Sequence, residues 1–179
     1  DPSGIFWIGT NNGIYRYDRQ TNSIDRLPHN PPDPGDVKRE VITSITEDRQ
    51  GFLWLGTQGR GLSKYNPVTG EFTYYQQNWN PDTGARIVDT VTDNFILDII
   101  EDTSGRLWIG TQEGLNLFDR ETGDWLSFTQ DPSNPNSLSH NWITTLYQDP
   151  SGVLWIGTQG GGLNKLVLTN FNVTDSSSY

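Results

Sequence analysis

The chain of 179 residues contains no cysteine and no methionine. Without cysteine there is no disulfide and no thiol chemistry, and no redox compartment can be read. Without methionine the chain lacks the residue that starts translation, so a processed product or a fragment is expected. Long apolar runs are also missing. No stretch approaches the ~18 apolar residues that cross a bilayer, so direct membrane insertion of this segment is not expected. No signal peptide precedes Asp1, which places any targeting segment outside this stretch. Positive charge is scarce. Twelve Lys and Arg against 22 Asp and Glu leave a net charge of −10, which a phosphate backbone or an anionic membrane surface repels. Nucleic acid is not expected as a partner. Helical periodicity is absent throughout.

What the chain does have is 19 Gly, 10 Pro and a single sentence written four times. FWIGTNNGIYRYDRQT begins at Phe6, LWLGTQGRGLSKYNPVTG at Leu53, LWIGTQEGLNLFDRETG at Leu107 and LWIGTQGGGLNKL at Leu154. The tryptophans Trp7, Trp54, Trp108 and Trp155 are spaced by 47, 54 and 47 residues, a period that belongs to propellers, solenoids or arrays. Each unit reads as four short strands. An apolar stretch such as FILDIIED comes first, followed by a D-x-x-G turn at Asp1, Asp48, Asp102 and Asp149. The Trp strand is next, then a Gly-Leu or Gly-Ile strand, a Thr-Gly turn and an aromatic strand. Asp accepts bonds from amides two residues on, and Gly supplies the positive φ that closes each hairpin.

In FILDII, strict alternation puts Phe95, Leu97 and Ile99 on one side and Ile96 and Ile100 on the other. Both faces are therefore apolar, and each sheet needs a neighbour on both sides. The radially packed blades of a β-propeller satisfy this. A β-solenoid fits less well, because its coils run nearer 20–30 residues. Gly9, Gly56, Gly110 and Gly157 of the W-I/L-G-T segments suit a crowded position. The expected fold is all-β: about four four-stranded antiparallel blades over residues 1–168, with a degenerate last strand and linker-like tail at 169–179.

The pattern D-x-x-G-x-L-W-I-G-T-x-x-G-L-x-x-[YF]-D resembles the two-component regulator propeller repeat, and DPSNPNSLSHNWITTLYQD at 131–149 is similar to that family's inter-unit segment. The resemblance implies rings of about seven blades in the extracytoplasmic sensor of bacterial hybrid histidine kinases. It also implies a ligand, often a carbohydrate fragment, and a kinase outside this chain. The first unit lacks its innermost strand, and the fourth decays after GLNKL. Apolar residues of Ile5–Ile8 and Leu163–Leu168 are then expected at open ends. The rest of the propeller polypeptide, or a second copy closing a ring of about eight blades, is the expected cover.

Residues that recur in every unit are architecture: the four Trp, the four Gly and the turn carboxylates Asp48, Asp102 and Asp149. Function is expected on the connections between units, at 28–40, 76–94 and 129–141. The second is six residues longer and carries Trp79, whose indole can stack on a sugar face, and Arg86, whose fork suits carboxylates. His140 and Asn141 complete the candidate ligand-binding set, with Trp142 expected in the core. Neither His29 nor His140 stands in a nucleophile triad or metal spacing. Neighbouring carboxylates such as Glu101 and Asp102 point to opposite faces. Asp131 to Asn136 offers one carboxylate, too few for calcium, and reads as turn chemistry. Asn172-Val173-Thr174 forms a glycosylation sequon. No catalytic residue, metal or cofactor is expected. The leading reading is a non-enzymatic sensing module with an oligosaccharide or protein ligand. A protein-interaction scaffold is the alternative, and a propeller lyase or hydrolase comes third.

Overall fold

The computed structural model describes residues 4–27, 41–77 and 90–168. Every regular element among them is a strand, arranged in four antiparallel sheets. The first holds β1 (Ile5–Thr10), β2 (Gly13–Asp18) and β3 (Ser23–Arg26), in that order. The second runs β4 (Ile42–Glu47), β5 (Leu53–Thr57), β6 (Leu62–Tyr65) and β7 (Phe72–Tyr75). The third runs β8 (Ile96–Glu101), β9 (Leu107–Thr111), β10 (Leu115–Phe118) and β11 (Trp125–Phe128). The fourth has β12 (Ile143–Gln148), β13 (Val153–Thr158) and β14 (Gly162–Val167). The two central blades are thus four-stranded. Among the described residues the first lacks an inner strand and the fourth an outer one. Asp1, the Ser-rich tail and the 172–174 sequon lie outside the described residues, as does His29.

Simple alternation fails in the inner strands. Each carries one extra residue, shifting its register between Ile42 and Ser44, Ile96 and Asp98, and Ile143 and Thr145. A bulge of this kind turns the following side chains over. Ile96 and Ile99 therefore share one face and one core, whereas Ile100 packs into the next seam. The expected grouping of Leu97 with Ile99, and of Ile96 with Ile100, is corrected by that single inserted residue.

The cores lie between blades. At the first seam Trp7, Ile14 and Leu27 meet Ile42, Leu53, Leu55, Tyr65 and Phe72. At the second, Trp54, Leu62 and Tyr75 meet Ile96, Leu107, Ile109, Phe118 and Trp125. At the third, Trp108, Leu115 and Leu117 meet Ile143, Leu146, Leu154 and Ile156. Each blade thus has a trailing face, carrying the Trp, and a leading face, carrying the residues on either side of it.

The repeated glycine is the hole that admits the next blade's inner strand. A Cβ on Gly9, Gly56 or Gly110 would lie 2.8, 2.7 or 2.6 Å from the Cγ2 of Ile42, Ile96 or Ile143. Only Gly lets that isoleucine seat.

The ends differ as the seams require. On the leading face of the first blade Phe6 is 50% exposed and Ile8 39%, while their counterparts Leu53, Leu55, Leu107 and Ile109 are buried; Ile24 is 60% exposed where Phe72 and Trp125 are half-buried. On the trailing face of the fourth, Leu163 is 65% and Tyr147 60% exposed, although Ile14, Leu62 and Leu115 are buried at the position of Leu163. Ile5 and Leu168, which bound the expected open segments, are themselves buried.

Two outcomes follow. Trp108→Ala empties a fully enclosed site and should cost about 3–5 kcal/mol, whereas Trp155→Ala, at a half-buried site, should cost less than half as much in urea melts. Gly110→Ala should cost about 1–3 kcal/mol by overpacking. Because Ile143 is the obstructing group, a double-mutant cycle with Ile143→Ala should give a variant more stable than the sum of the two losses.

Candidate functional site

Antiparallel alternation sends the D-x-x-G and Thr-Gly turns to one end of the blades. The inter-blade connections and the links after W-I/L-G-T go to the other.

The turn end is built on one carboxylate per blade. Asp48 Oδ1 accepts the amides of Gln50 and Phe52, and Oδ2 accepts the Trp54 indole N–H at 2.8 Å. Asp102 does the same with Ser104, Arg106 and Trp108, and Asp149 with Ser151, Val153 and Trp155. Gly51, Gly105 and Gly152, at φ 82°, 88° and 85°, donate their amides back to these Asp carbonyls. The motif is therefore a clamp. Asp fixes the turn and anchors the buried indole six residues on.

A charged seam crosses from the second blade to the third at this end. Arg120 donates to Asp48 Oδ2 at 2.5 Å, to Glu101 Oε1 and to the Gly105 carbonyl. Arg49 pairs with Glu101 at 3.0 Å and donates to the Asp102 carbonyl. Glu101 and Asp102 thus serve different partners, in line with their divergent faces. At the next seam the polar link is neutral, with Gln148 Oε1 accepting the Thr103 amide at 2.9 Å.

Between the ends, Asp98 occupies the bulge of β8. Its Oδ1 accepts the Ile99 amide and the Ser44 hydroxyl of the preceding blade; its Oδ2 accepts the Leu146 amide and the Thr145 hydroxyl of the following one. Thr43 and Thr46 donate to the carbonyls of Ile96 and Ile99. The inner strands are therefore laced to one another directly. Asp98 was not singled out from sequence; its counterparts Ser44 and Thr145 would have marked it as the one charged member of a small polar series.

The connection end shows where the candidate residues lie. Trp79 and Arg86 fall outside the described residues. His140 is half-buried, and its Nδ1 accepts the Trp142 amide at 3.0 Å. Asn141 Oδ1 accepts the Gln130 amide at 2.6 Å, tying the two ends of the connection together. Asn94 makes the same tie to Gln77 at 2.7 Å. VTDNF at 91–95 and LSHNW at 138–142 are therefore one motif, a kinship visible in the sequence once the two are aligned. Val91 and Leu138 plug the cores, while Asn116 and Asn164 dock Thr92 and Ser139 through paired bonds. Trp142 is half-buried rather than enclosed. Asp131 accepts the Ser133 amide and hydroxyl, which is turn chemistry. Among the described residues no group of three or more acidic or histidine side chains is placed to hold a metal, and no helix is long and apolar enough to cross a membrane.

The two-component regulator propeller family model matches residues 37–59, 90–113 and 137–160. Three stretches of this chain, around Trp54, Trp108 and Trp155, thus match the two-component regulator propeller repeat. The chain is 35% identical over 113 residues to histidine kinase P4 of Formosa agariphila, covering 62% of this chain and 8% of the kinase. It superposes on the extracellular domain of a hybrid two-component system from B. thetaiotaomicron with a TM-score of 0.70 and 26% identity, over 90% of this chain and 20% of that one. Virginiamycin B lyase of Staphylococcus aureus shares the fold at 16% identity, with a TM-score of 0.57 over 95% of this chain and 54% of the lyase. The repeats therefore span a small part of the two signalling relatives.

The clamp carries a pH signature in the fourth repeat. The Ser151 hydroxyl, then the Trp155 indole, hold the Asp149 carboxyl down to about 2, despite the opposing effect of burial. A depressed folded-state value means that its stabilisation is full above the unfolded value, near 3.9, and is lost as pH falls toward 2. Asp149→Asn should flatten the acid loss of stability in that window, and a carboxyl NMR titration should place Asp149 below the ordinary Asp range.

Proposed function

We propose that these repeats are the sensing part of an extracytoplasmic two-component regulator, binding a ligand at the connection end and passing the event to a kinase outside this chain. The observation that carries this reading is the match over 90% of the chain to the extracellular domain of a hybrid two-component system. The repeats and the kinase relative agree with it. An oligosaccharide is the favoured ligand class. The longest connection brings Trp79 and Arg86, an indole for a sugar face and a guanidinium for a carboxylate or hydroxyl. His140 and Asn141 lie on the neighbouring connection at the same end. Their Nδ1 and Oδ1 atoms hold the loop, leaving His140 Nε2 and Asn141 Nδ2 as the groups for a ligand.

The reading is non-enzymatic. Calorimetric titration with an array of acidic and neutral oligosaccharides should find a binder, and Trp79→Ala should weaken it about tenfold, roughly one indole–sugar stack. Chelators should leave that binding unchanged. Metal-dependent cleavage of a glycan or lactone by this protein would overturn the non-enzymatic assignment, and full affinity in Trp79→Ala would remove the proposed site.

A further inference from the structure

One recurring polar position has no part in packing or in the turns. Gln58, Gln112 and Gln159 each follow the threonine of W-I/L-G-T, at the connection end of the second, third and fourth blades. The threonines close the links, with Thr57, Thr111 and Thr158 donating to the carbonyls of Gly61, Gly114 and Gly162. Gln58 and Gln159 contribute backbone, their amides bonding the Val41 and Trp142 carbonyls at 3.0 and 2.9 Å. Among the described residues the three side-chain amides meet no partner, although Gln76, Gln77 and Gln148 all use theirs. Gln58 and Gln159 are exposed, and Gln112 is half-buried.

Aromatic rings alternate with these amides. Phe95 and Trp142 lead into the inner strands β8 and β12, and both are half-buried. Gln58 bridges to Phe95 across the second seam. The Phe95 ring lies against Gly59 of the same link, where a Cβ would stand 3.2 Å from its Cε2. Gln159 bonds Trp142 within the fourth blade. By the repeat, Gln112 stands between the two rings. We propose that Gln58, Phe95, Gln112, Trp142 and Gln159 form an arc of subsites for a neutral oligosaccharide, one sugar unit per seam.

This arc lies at the end already assigned to ligand binding, and its role rests on that reading. An aromatic ring takes the C–H face of a pyranose, while an amide offers a donor and an acceptor to adjacent hydroxyls. Apolar rings with a few convergent polar groups are the usual make-up of a small-ligand site. The arc carries no charge of its own. Asp93 and Glu113 outnumber Arg60 beside it, and the chain charge of −10 adds to the repulsion of an anionic glycan. Because the seams repeat, successive sugar units meet the same chemistry, and affinity rises with the length of the sugar.

Indole and side-chain amide NMR signals of the isotope-labelled protein, titrated with a panel of neutral mono- to hexasaccharides, test the arc. The Trp142 indole and the Gln58, Gln112 and Gln159 amides should shift, and the enclosed Trp54 and Trp108 indoles should not. A disaccharide should bind about tenfold tighter than its monosaccharide. Gln112→Ala removes no structural bond, so it should weaken binding about tenfold at an unchanged melting temperature. Trp142→Leu keeps apolar cover over the strand and should weaken binding to a similar degree. Shifts confined to other signals, or full affinity in both variants, overturn the arc. If Trp79→Ala alone then abolishes binding, the sensing reading survives with its site on the long connection. A panel with no binder at about 10 mM also overturns the arc, whereas the oligosaccharide reading falls only if acidic sugars fail as well.

Discussion

A sheet with Trp108 and Leu115 on one face and Leu107, Ile109 and Phe118 on the other cannot rest half-covered. Each large apolar side chain withdrawn from water contributes about 1.5–3 kcal/mol, so a blade gains most when both neighbours are present. That constraint selects the radial arrangement over a two-layer sandwich, in which each sheet has one solvated face. It also explains why the same residue type is buried in the middle of the chain and exposed at its ends. Leu115 and Leu163 occupy one repeat position, and a neighbouring blade is the difference between them. The glycine before each W-I/L-G-T threonine belongs to the same constraint. A seam closes only where the incoming isoleucine finds no Cβ in its way.

Closing the seams buries polar groups, and the Asp clamp is the answer to that cost. An indole N–H in a packed seam needs an acceptor, and a carboxylate drawn out of water needs several donors. Asp48, Asp102 and Asp149 meet both needs at once, taking two amides on one oxygen and the indole on the other. The seams share this clamp but differ in how their turn ends are tied. Arg120 and Arg49 make the second-to-third seam ionic, whereas Gln148 makes the next one neutral. Blades of common design can thereby be given distinct neighbours.

Much of this was legible in the sequence. The four Trp, the turn Asp and the seam glycines recur at fixed offsets, and recurrence identifies architecture without coordinates. Among the described residues the first and fourth sheets have three strands each, at the two units that the sequence leaves short. Two features escaped. The inner-strand bulge is invisible to period counting, because Ile96, Leu97, Ile99 and Ile100 are apolar under either register. Arg120 reaches Asp48 from 72 residues away, and nothing local to the turn at 119–123 announces that partner. Asn141 lay between these extremes. Its kinship with Asn94 is written in the aligned connections, yet it surfaces only when the bond to the start of each connection is seen.

That kinship sharpens where specificity can reside. The backbone-facing atoms of His140 and Asn141 serve a tie that recurs at Asn94, so the connections are held rigidly at their feet by shared chemistry. Rigid feet leave the middle of each connection free to vary in length and composition without disturbing the seams. The largest difference in length between the units falls there: 76–94 is six residues longer than its counterparts and carries Trp79 and Arg86. A propeller built of repeated blades has few other places to make one position on its rim chemically distinct, because the large apolar side chains of the central blades are committed to the seams.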